Sequence, residues 1–581
     1  MCHACIPGSL SFSHSNFDID ELHTHASQTP AALGDAPITL FHGGSIITMA
    51  GGSFSPVEAL VTGGPGGRIL YTGALEGAKE VAGDKAKLVD LGTRCLLPGF
   101  VEPHLHIIMS SLMGTYFVDV NPLNAPTSEE AVRLLKERVP EVSAGAWLPG
   151  YGYDPSRVEG HAELTAEMLD SVSETIPILV MNASGHIAYV NHKAFAIAGV
   201  DDSTPDPPGG EFVRDEEGHL TGAIVEASAI EIFAKFLTPP AALKLLAGIQ
   251  VTLKKWAGKG CTTIFDAGVG LVSPGTYIDL LLLSSSVLTP GCPVRITGAL
   301  TSELATFVRA EEPPYKAGTL KFRSIKLWTD GSTQGFTGAV REPYLNDGGW
   351  GLLNSSDTEL RRQMGPWQKL GWQLVVHANA DRAIDQTLGA FDAILDHKPD
   401  PNVIHRIDHM TVTVPEQIAS AKALGLGVSH TLGHVYYWGN TFRTWVLGSP
   451  RADRIDPVAD DAKNGVLFSF HSDSPVSEVN PLLHVRTAVT RRLYGMDTEP
   501  NGVLGPDQCV DLETALRGIT INAAKHVMLG DEVGSLEVGK SADLVLLEKD
   551  PRQVDALDLH KIKVEQTWLR GRVVWSAEPT K

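Results

Sequence analysis

A chain of 581 residues is too long for one ordinary domain, and its 43% hydrophobic and 20% charged residues suit a folded protein with a sizeable core. Its 68 acidic against 47 basic residues leave a net charge of −21, which argues against nucleic acid or an anionic membrane surface as partner. Six scattered cysteines argue against a disulfide framework, and the longest apolar run, around Ile278 to Leu283, falls far short of the ~20 residues of a membrane-spanning helix.

Residues 1–36 are polar and mixed and are expected to form a tail. They open with no basic segment followed by an apolar one, so no secretory leader is expected and the cytoplasm is the default location. Cys2-His3-Ala4-Cys5 is the one close cysteine pair. No second pair of ligands follows it, so it is assigned to the tail rather than to a metal site.

From Ile38 short β-like runs begin: Ile38 to Phe41, Ser45 to Thr48, Ala59 to Val61 and Arg68 to Tyr71, with a glycine-rich turn at Gly63 to Gly67. The same texture returns at Ala542 to Leu547, Val564 to Leu569 and Val573 to Trp575. Strands cannot leave their edges unpaired, so residues 37–95 and 531–581 are expected to form one discontinuous β-sandwich domain.

The centre, 96–530, alternates apolar strand-like runs with helix-like segments. Cys261 to Asp266, Ser324 to Trp328, Gln373 to His377, Gly425 to His430 and Val466 to Phe470 look like buried parallel strands; Ala378 to Leu395 and Pro415 to Leu424 look like helices. Repeated βα units favour a TIM (β/α)8 barrel, with a doubly wound sheet as the alternative.

His104-Leu105-His106 follows the run Leu96 to Val101. Residues at i and i+2 share one face of a strand, so the two imidazoles can share a cation. Other metal-compatible residues also lie in or just after strand-like runs: Lys326, His377, His409 and Asp473. His377 and His409 are 32 residues apart, one βα unit, and His409 and Asp473 are 64 apart, two units. The 220 residues from His106 to Lys326 exceed what three units need, which predicts an inserted subdomain within about 111–250. His405 competes with His409 as a ligand, Lys326 could pair with Asp330, Asp266 could face the site or cap a helix, and the role of His471 is open. His430 and His434 follow the seventh strand. With Tyr437 and Trp438 they could line a pocket for an apolar or aromatic substrate, or pack as a lid; His430 could also touch metal.

Taken together, several motifs in order resemble the amidohydrolase superfamily, specifically amidohydrolase family 3 in the branch containing N-substituted formamide deformylase. The motifs are Pro98-Gly99-Phe100 before His104-Leu105-His106, Ser184-Gly185-His186 with Val190-Asn191, Lys326 to Ser332, Val376 to Asp381, His405 to His409, Ser472 to Pro475, and Gly534 to Val545. The resemblance implies a distorted (β/α)8 barrel and a small β-sandwich. It implies metal ligation by His104, His106, Lys326, His377, His409 and Asp473, with one or two Zn²⁺ or other divalent ions and Lys326 carboxylated in the two-metal case. Asp473 would move the proton of the attacking water, and His186 would contact substrate and help polarise its carbonyl. The expected activity is hydrolysis of an amide, N-formyl or carbamate C–N bond in a small molecule. A deaminase or cyclic-amide hydrolase on the same scaffold and a noncatalytic assembly protein are the alternatives. A homodimer is also suggested by the family.

Overall fold

The computed structural model describes residues 34–578, apart from 52–53, 184, 209, 238–239 and 347. The Cys2/Cys5 pair and nearly all of the expected tail lie outside the described residues, as does Ser184.

Eight parallel strands form the central sheet: β1 (Phe100–Leu105), β2 (Cys261–Val269), β3 (Arg295–Thr301), β4 (Ser324–Trp328), β5 (Gln373–Ala378), β6 (Arg406–His409), β7 (Gly427–His430) and β8 (Leu467–Phe470). Each pairs with the next in chain order. The circle meets beyond β8, where the Asp473 N–H donates to the His104 carbonyl at 3.1 Å and the His106 N–H to the Ser474 carbonyl at 2.9 Å. This is a nearly closed (β/α)8 barrel, and the doubly wound alternative falls away. Nearly all strand residues are buried, as a parallel sheet covered on both faces requires.

The wall helices follow from their apolar stripes. Asp381–Ile394 buries Ala383, Ile384, Thr387, Leu388, Ala390 and Phe391, one face at helical spacing. Pro415–Ala423 starts with proline in its first turn, and Gln417 Oε1 accepts the Val414 N–H at 3.1 Å.

A second sheet joins the two ends of the chain. Its order is Arg572–Ser576, Val564–Leu569, Leu544–Leu547, Cys95–Pro98, Ala36–Ile46, Val57–Gly64, Arg68–Gly73, with Lys87–Asp90 also paired to Ala36–Ile46. The two runs expected at Ile38 to Phe41 and Ser45 to Thr48 are one irregular strand, which turns through Gly43 in the left-handed region (φ 78°). Leu96, Leu97 and Pro98, placed in the barrel by the sequence, pair instead with Leu546, Val545 and Leu544 in this sheet.

Between β1 and β2 a third sheet of six strands runs from Val118 to Val225. Asn191, part of one of the sequence motifs, ties it together. Its side chain accepts from the Ile178 and Ala194 N–H groups, each at 3.0 Å, and donates to the carbonyls of Ser173 and Ile176 at 2.9 and 3.0 Å. Helix Ala242–Ala257 then returns to the barrel wall beside helix Ile107–Tyr116, where Gly248 allows Thr115 a close approach. Among the described residues, no helix is long and apolar enough to cross a membrane.

Candidate metal centre

The C-terminal ends of the barrel strands carry a cluster of histidines and carboxylates. His104 ends β1 facing the axis, and His106 opens the helix that follows. Their rings stand 5.5 Å apart, edge to face. Asp473 lies across them: its Oδ1 is 3.0 Å from His104 Nε2 and 3.4 Å from His106 Nε2. Asp473 and His409 both adopt left-handed backbone, φ 55° and 75°. Such a conformation costs roughly 1–3 kcal/mol for a residue with a side chain, so the surroundings must impose it. At Asp473 the imposing contact is its N–H bond to the end of β1.

Asp408 stands beneath this group and is fully buried. Its Oδ2 accepts from His104 Nδ1 at 2.6 Å and from Lys326 Nζ at 2.9 Å, while Oδ1 pairs with Arg406 Nε at 2.7 Å. Burial alone would raise the Asp408 pKa, but Arg406, Lys326 and His104 hold it well below the usual carboxylate range. The His104–Asp408 bond occupies Nδ1 and orients the ring so that Nε2 faces Asp473. Lys326 thus pairs with Asp408 rather than Asp330, whose carboxylate accepts the N–H groups of Ala339, Asn379 and Ala380.

His377 and His409 complete the ring, their centroids 4.5 Å apart. His377 Nε2 lies 3.1 Å from the Gly331 carbonyl and 3.3 Å from Asn379 Nδ2. Burial, reinforced by Lys326, lowers the His377 pKa to about 3. Burial also pushes His409 and His471 well below the ordinary histidine value. All three are neutral imidazoles, the form that ligates metal. His471 stacks on His104 at 4.5 Å between centroids. Its Nε2 reaches Thr431 Oγ1 at 2.8 Å, and the same hydroxyl meets His409 Nδ1 at 2.8 Å.

The donor set fits a divalent cation. His104, His106 and Asp473 offer one ligand atom each within mutual reach, and so do His104, His409 and His471. His106 Nδ1 is buried with no hydrogen-bond partner among the described residues, so this nitrogen is not committed to a protein network.

A cleft of about 950 Å³ opens over the cluster. Met113, Phe117, Tyr151, Leu179, Met181 and Trp328 give it an apolar wall. His186 and His434 line it. His186 comes from the inserted sheet, and its Nδ1 lies 3.3 Å from Glu226 Oε1. His434 Nδ1 meets Thr411 Oγ1 at 3.0 Å.

Three expectations need correction. His430 does not line the cleft, and it meets the cluster only through the His409 backbone carbonyl, 3.2 Å from its Nδ1: it is fully buried, with Nε2 2.6 Å from Asp461 Oδ2 and Nδ1 3.3 Å from Asp456 Oδ1. Ser429 of β7 faces inward to His471, so the next residue must face outward to the helices. Tyr437 and Trp438 border a neighbouring hollow rather than the cleft over the histidines. The competitors also separate. His405 points away from the centre, with Nδ1 accepting the Leu374 N–H at 3.0 Å, while Asp266 accepts the N–H groups of Ile107 and Gly268 and so supports the turn after β1.

Sequence reasoning gave no role to Asp408 and left His471 open. The signal for His471 was its parity: Ser469, His471 and Asp473 alternate along one line. Asp408 and His409 are adjacent, and only the left-handed turn at His409 lets both reach the interior.

The amidohydrolase family model matches residues 87–575. The chain belongs to the amidohydrolase family. That membership makes it an enzyme, a hydrolase of carbon–nitrogen bonds other than peptide bonds. N-substituted formamide deformylase of Arthrobacter pascens is 26% identical over 516 residues, covering 87% of this chain and 93% of the relative. Protein LONG AFTER FAR-RED 3 of Arabidopsis thaliana is 26% identical over 496 residues, 83% of this chain and 82% of the relative. In fold, the chain resembles an uncharacterized metal-dependent hydrolase from Pyrococcus horikoshii OT3, with TM-score 0.70, 23% identity, and coverage of 89% and 99% of the two chains.

Proposed function

We propose that the enzyme cleaves an amide, N-formyl or carbamate C–N bond of a small organic substrate with an apolar or aromatic body. The observation that carries this reading is the convergence of His104 Nε2 and His106 Nε2 on Asp473 Oδ1 at the floor of an apolar-walled cleft. His104, His106, His377, His409, Asp473 and Lys326 are the residues to hold one or two divalent cations, zinc in this reading. Such a cation, when bound, supplies water activated near neutral pH and polarises the carbonyl under attack.

The chain's own groups do the rest. Asp473 accepts the proton of the attacking water and returns it to the departing nitrogen. His186, oriented by Glu226, contacts the carbonyl oxygen and helps polarise it as negative charge develops there. The apolar wall excludes water from the body of the substrate and favours an uncharged, hydrophobic group beside the scissile bond. Lys326 decides the cation count. As an ammonium paired with Asp408 it repels a second cation; as a carbamate formed with CO₂ it would bridge two.

The test is metal analysis of the purified protein with a screen of N-formyl compounds, acyl amides and carbamates. Asp473→Asn is expected to lower kcat by roughly 10²–10⁴-fold with metal retained. Full turnover by that variant with metal still bound would overturn the reading, as would ammonia released from a ring as the sole product. Mass spectrometry of the intact protein shows whether Lys326 carries CO₂.

A further inference from the structure

The cleft adjoins a wider hollow of about 1500 Å³, which shares with it the wall residues Met113, Tyr151, Ala183, Pro475 and Val476. On the wall of this hollow, Arg157 lies against two aromatic rings. Its guanidinium carbon lies 5.0 Å from the Tyr437 ring centre and 4.9 Å from that of Trp438. The two rings stand 5.9 Å apart and nearly perpendicular, so they flank one side of the guanidinium and leave N–H donors on its other side for further partners. Among the described residues, that guanidinium forms no hydrogen bond and no close ion pair, and the carboxylate whose charge acts on it is that of Asp154.

The nearby carboxylates are committed elsewhere. Asp154 Oδ1 accepts from the Ser156 N–H and hydroxyl at 3.0 and 2.7 Å, and its Oδ2 accepts from Trp438 Nε1 at 2.6 Å. That last bond fixes one of the two rings against Arg157. Glu478 pairs with Lys259 at 2.7 Å, and Asp119 accepts from Asn124 at 3.0 Å. Lys255, also on the hollow, adds a second positive charge. In a protein of net charge −21, an arginine packed on two rings beside an apolar cleft, its N–H donors without a hydrogen-bond partner among the described residues, offers a site for an anion.

We propose that Arg157 receives a carboxylate carried by the substrate at the end remote from the scissile bond. The in-plane fork of one guanidinium matches a carboxylate bidentately, and the shared wall residues accept the apolar segment between the two ends. The substrate class is then an amide or N-formyl compound with an apolar middle and a distant carboxylate. This rests on the hydrolase reading for what happens at the histidines, but the anion site can be tested without turnover.

Calorimetric titration of the metal-loaded enzyme with 5-phenylpentanoate and its neutral counterpart, 5-phenylpentanamide, reads the site directly. Arg157→Met is expected to weaken the carboxylate about tenfold or more and to leave the amide within about twofold. Arg157→Lys keeps the charge but loses the fork, and an intermediate loss on the carboxylate alone is expected, which also covers a failure of Arg157→Met to fold. An unchanged carboxylate affinity in the variants would mean that the probe binds only at the metal and would overturn the proposal. Equal losses on both ligands, marking a structural clamp, or no binding by the wild type would overturn it too. A selective loss in an enzyme that cleaves none of the screened amides would sink the proposed reaction and leave the anion site standing. Flat titrations with active amide cleavage would do the reverse.

Discussion

Asp408 and His104, 304 residues apart in the chain, are joined by a 2.6 Å hydrogen bond from the imidazole Nδ1 to the carboxylate. The same carboxylate neutralises Lys326 and Arg406, so one buried group orients a proposed metal ligand and compensates two cations. Asp408→Asn keeps the shape and removes the charge. It is expected to cost about 10–100-fold in metal affinity or in kcat/KM, as loss of a partner behind a ligating histidine does. Asp408→Ala leaves two buried cations unpaired and should also lose about 3–5 kcal/mol of stability. Metal content after dialysis and denaturant unfolding separate the two effects; wild-type metal retention by Asp408→Asn would reject the orienting role.

Removing metal tests the cluster as a whole. A chelator is expected to abolish amide cleavage and to lower the melting temperature, because an ion that binds only the folded state stabilises it by mass action. Adding Zn²⁺ should restore both. An activity that survives exhaustive chelation, with metal shown absent by elemental analysis, would contradict the proposed centre.

His430 predicts a pH effect on stability rather than on chemistry. Burial alone would lower its pKa, but hydrogen bonds and charge from Asp456 and Asp461 outweigh burial and raise it to about 9 from 6.5. A raised pKa means that the stabilisation is complete below about pH 6.5 and is lost as pH climbs through about 9. The shift corresponds to about 3 kcal/mol. In unfolding experiments the stability gap between wild type and His430→Gln should narrow over that window, and a gap that stays constant would refute the buried charged pair.

Trp438 offers a cleaner single contact. Trp438→Phe keeps an aromatic ring beside Arg157 but removes the donor to Asp154 Oδ2. A buried carboxylate losing this bond should cost about 1–3 kcal/mol, read as a lower melting temperature. No change would show that Asp154 does not depend on this donor.

How much of this was legible in the sequence depended on the parity of side chains along strands. His104 and His106 share a face by alternation, and that inference needed only a strand. The same counting would have placed His471 inward with Asp473 and His430 outward from Ser429. It failed at Asp408 and His409, because alternation allows only one of two neighbours to point inward until a left-handed turn breaks the rule. The barrel itself was readable because parallel strands buried on both faces leave continuous apolar runs. The join at Leu96 to Pro98 was harder: a run leading from one sheet into another has the same apolar texture on both sides of the border. Asp154 and Trp438 lie 284 residues apart, and nothing local in either stretch announces their hydrogen bond.

The sheet built from both ends of the chain has a consequence for biosynthesis. Strand Cys95–Pro98 pairs with Leu544–Leu547, which a ribosome delivers about 450 residues later. At a synthesis rate of ~5–20 residues per second, the nascent chain carries that unpaired apolar edge for roughly 20–90 seconds. During this interval the early strands can pair with the wrong neighbour, including another nascent chain, and a chaperone that shields them until the last strands emerge would raise the yield of native enzyme.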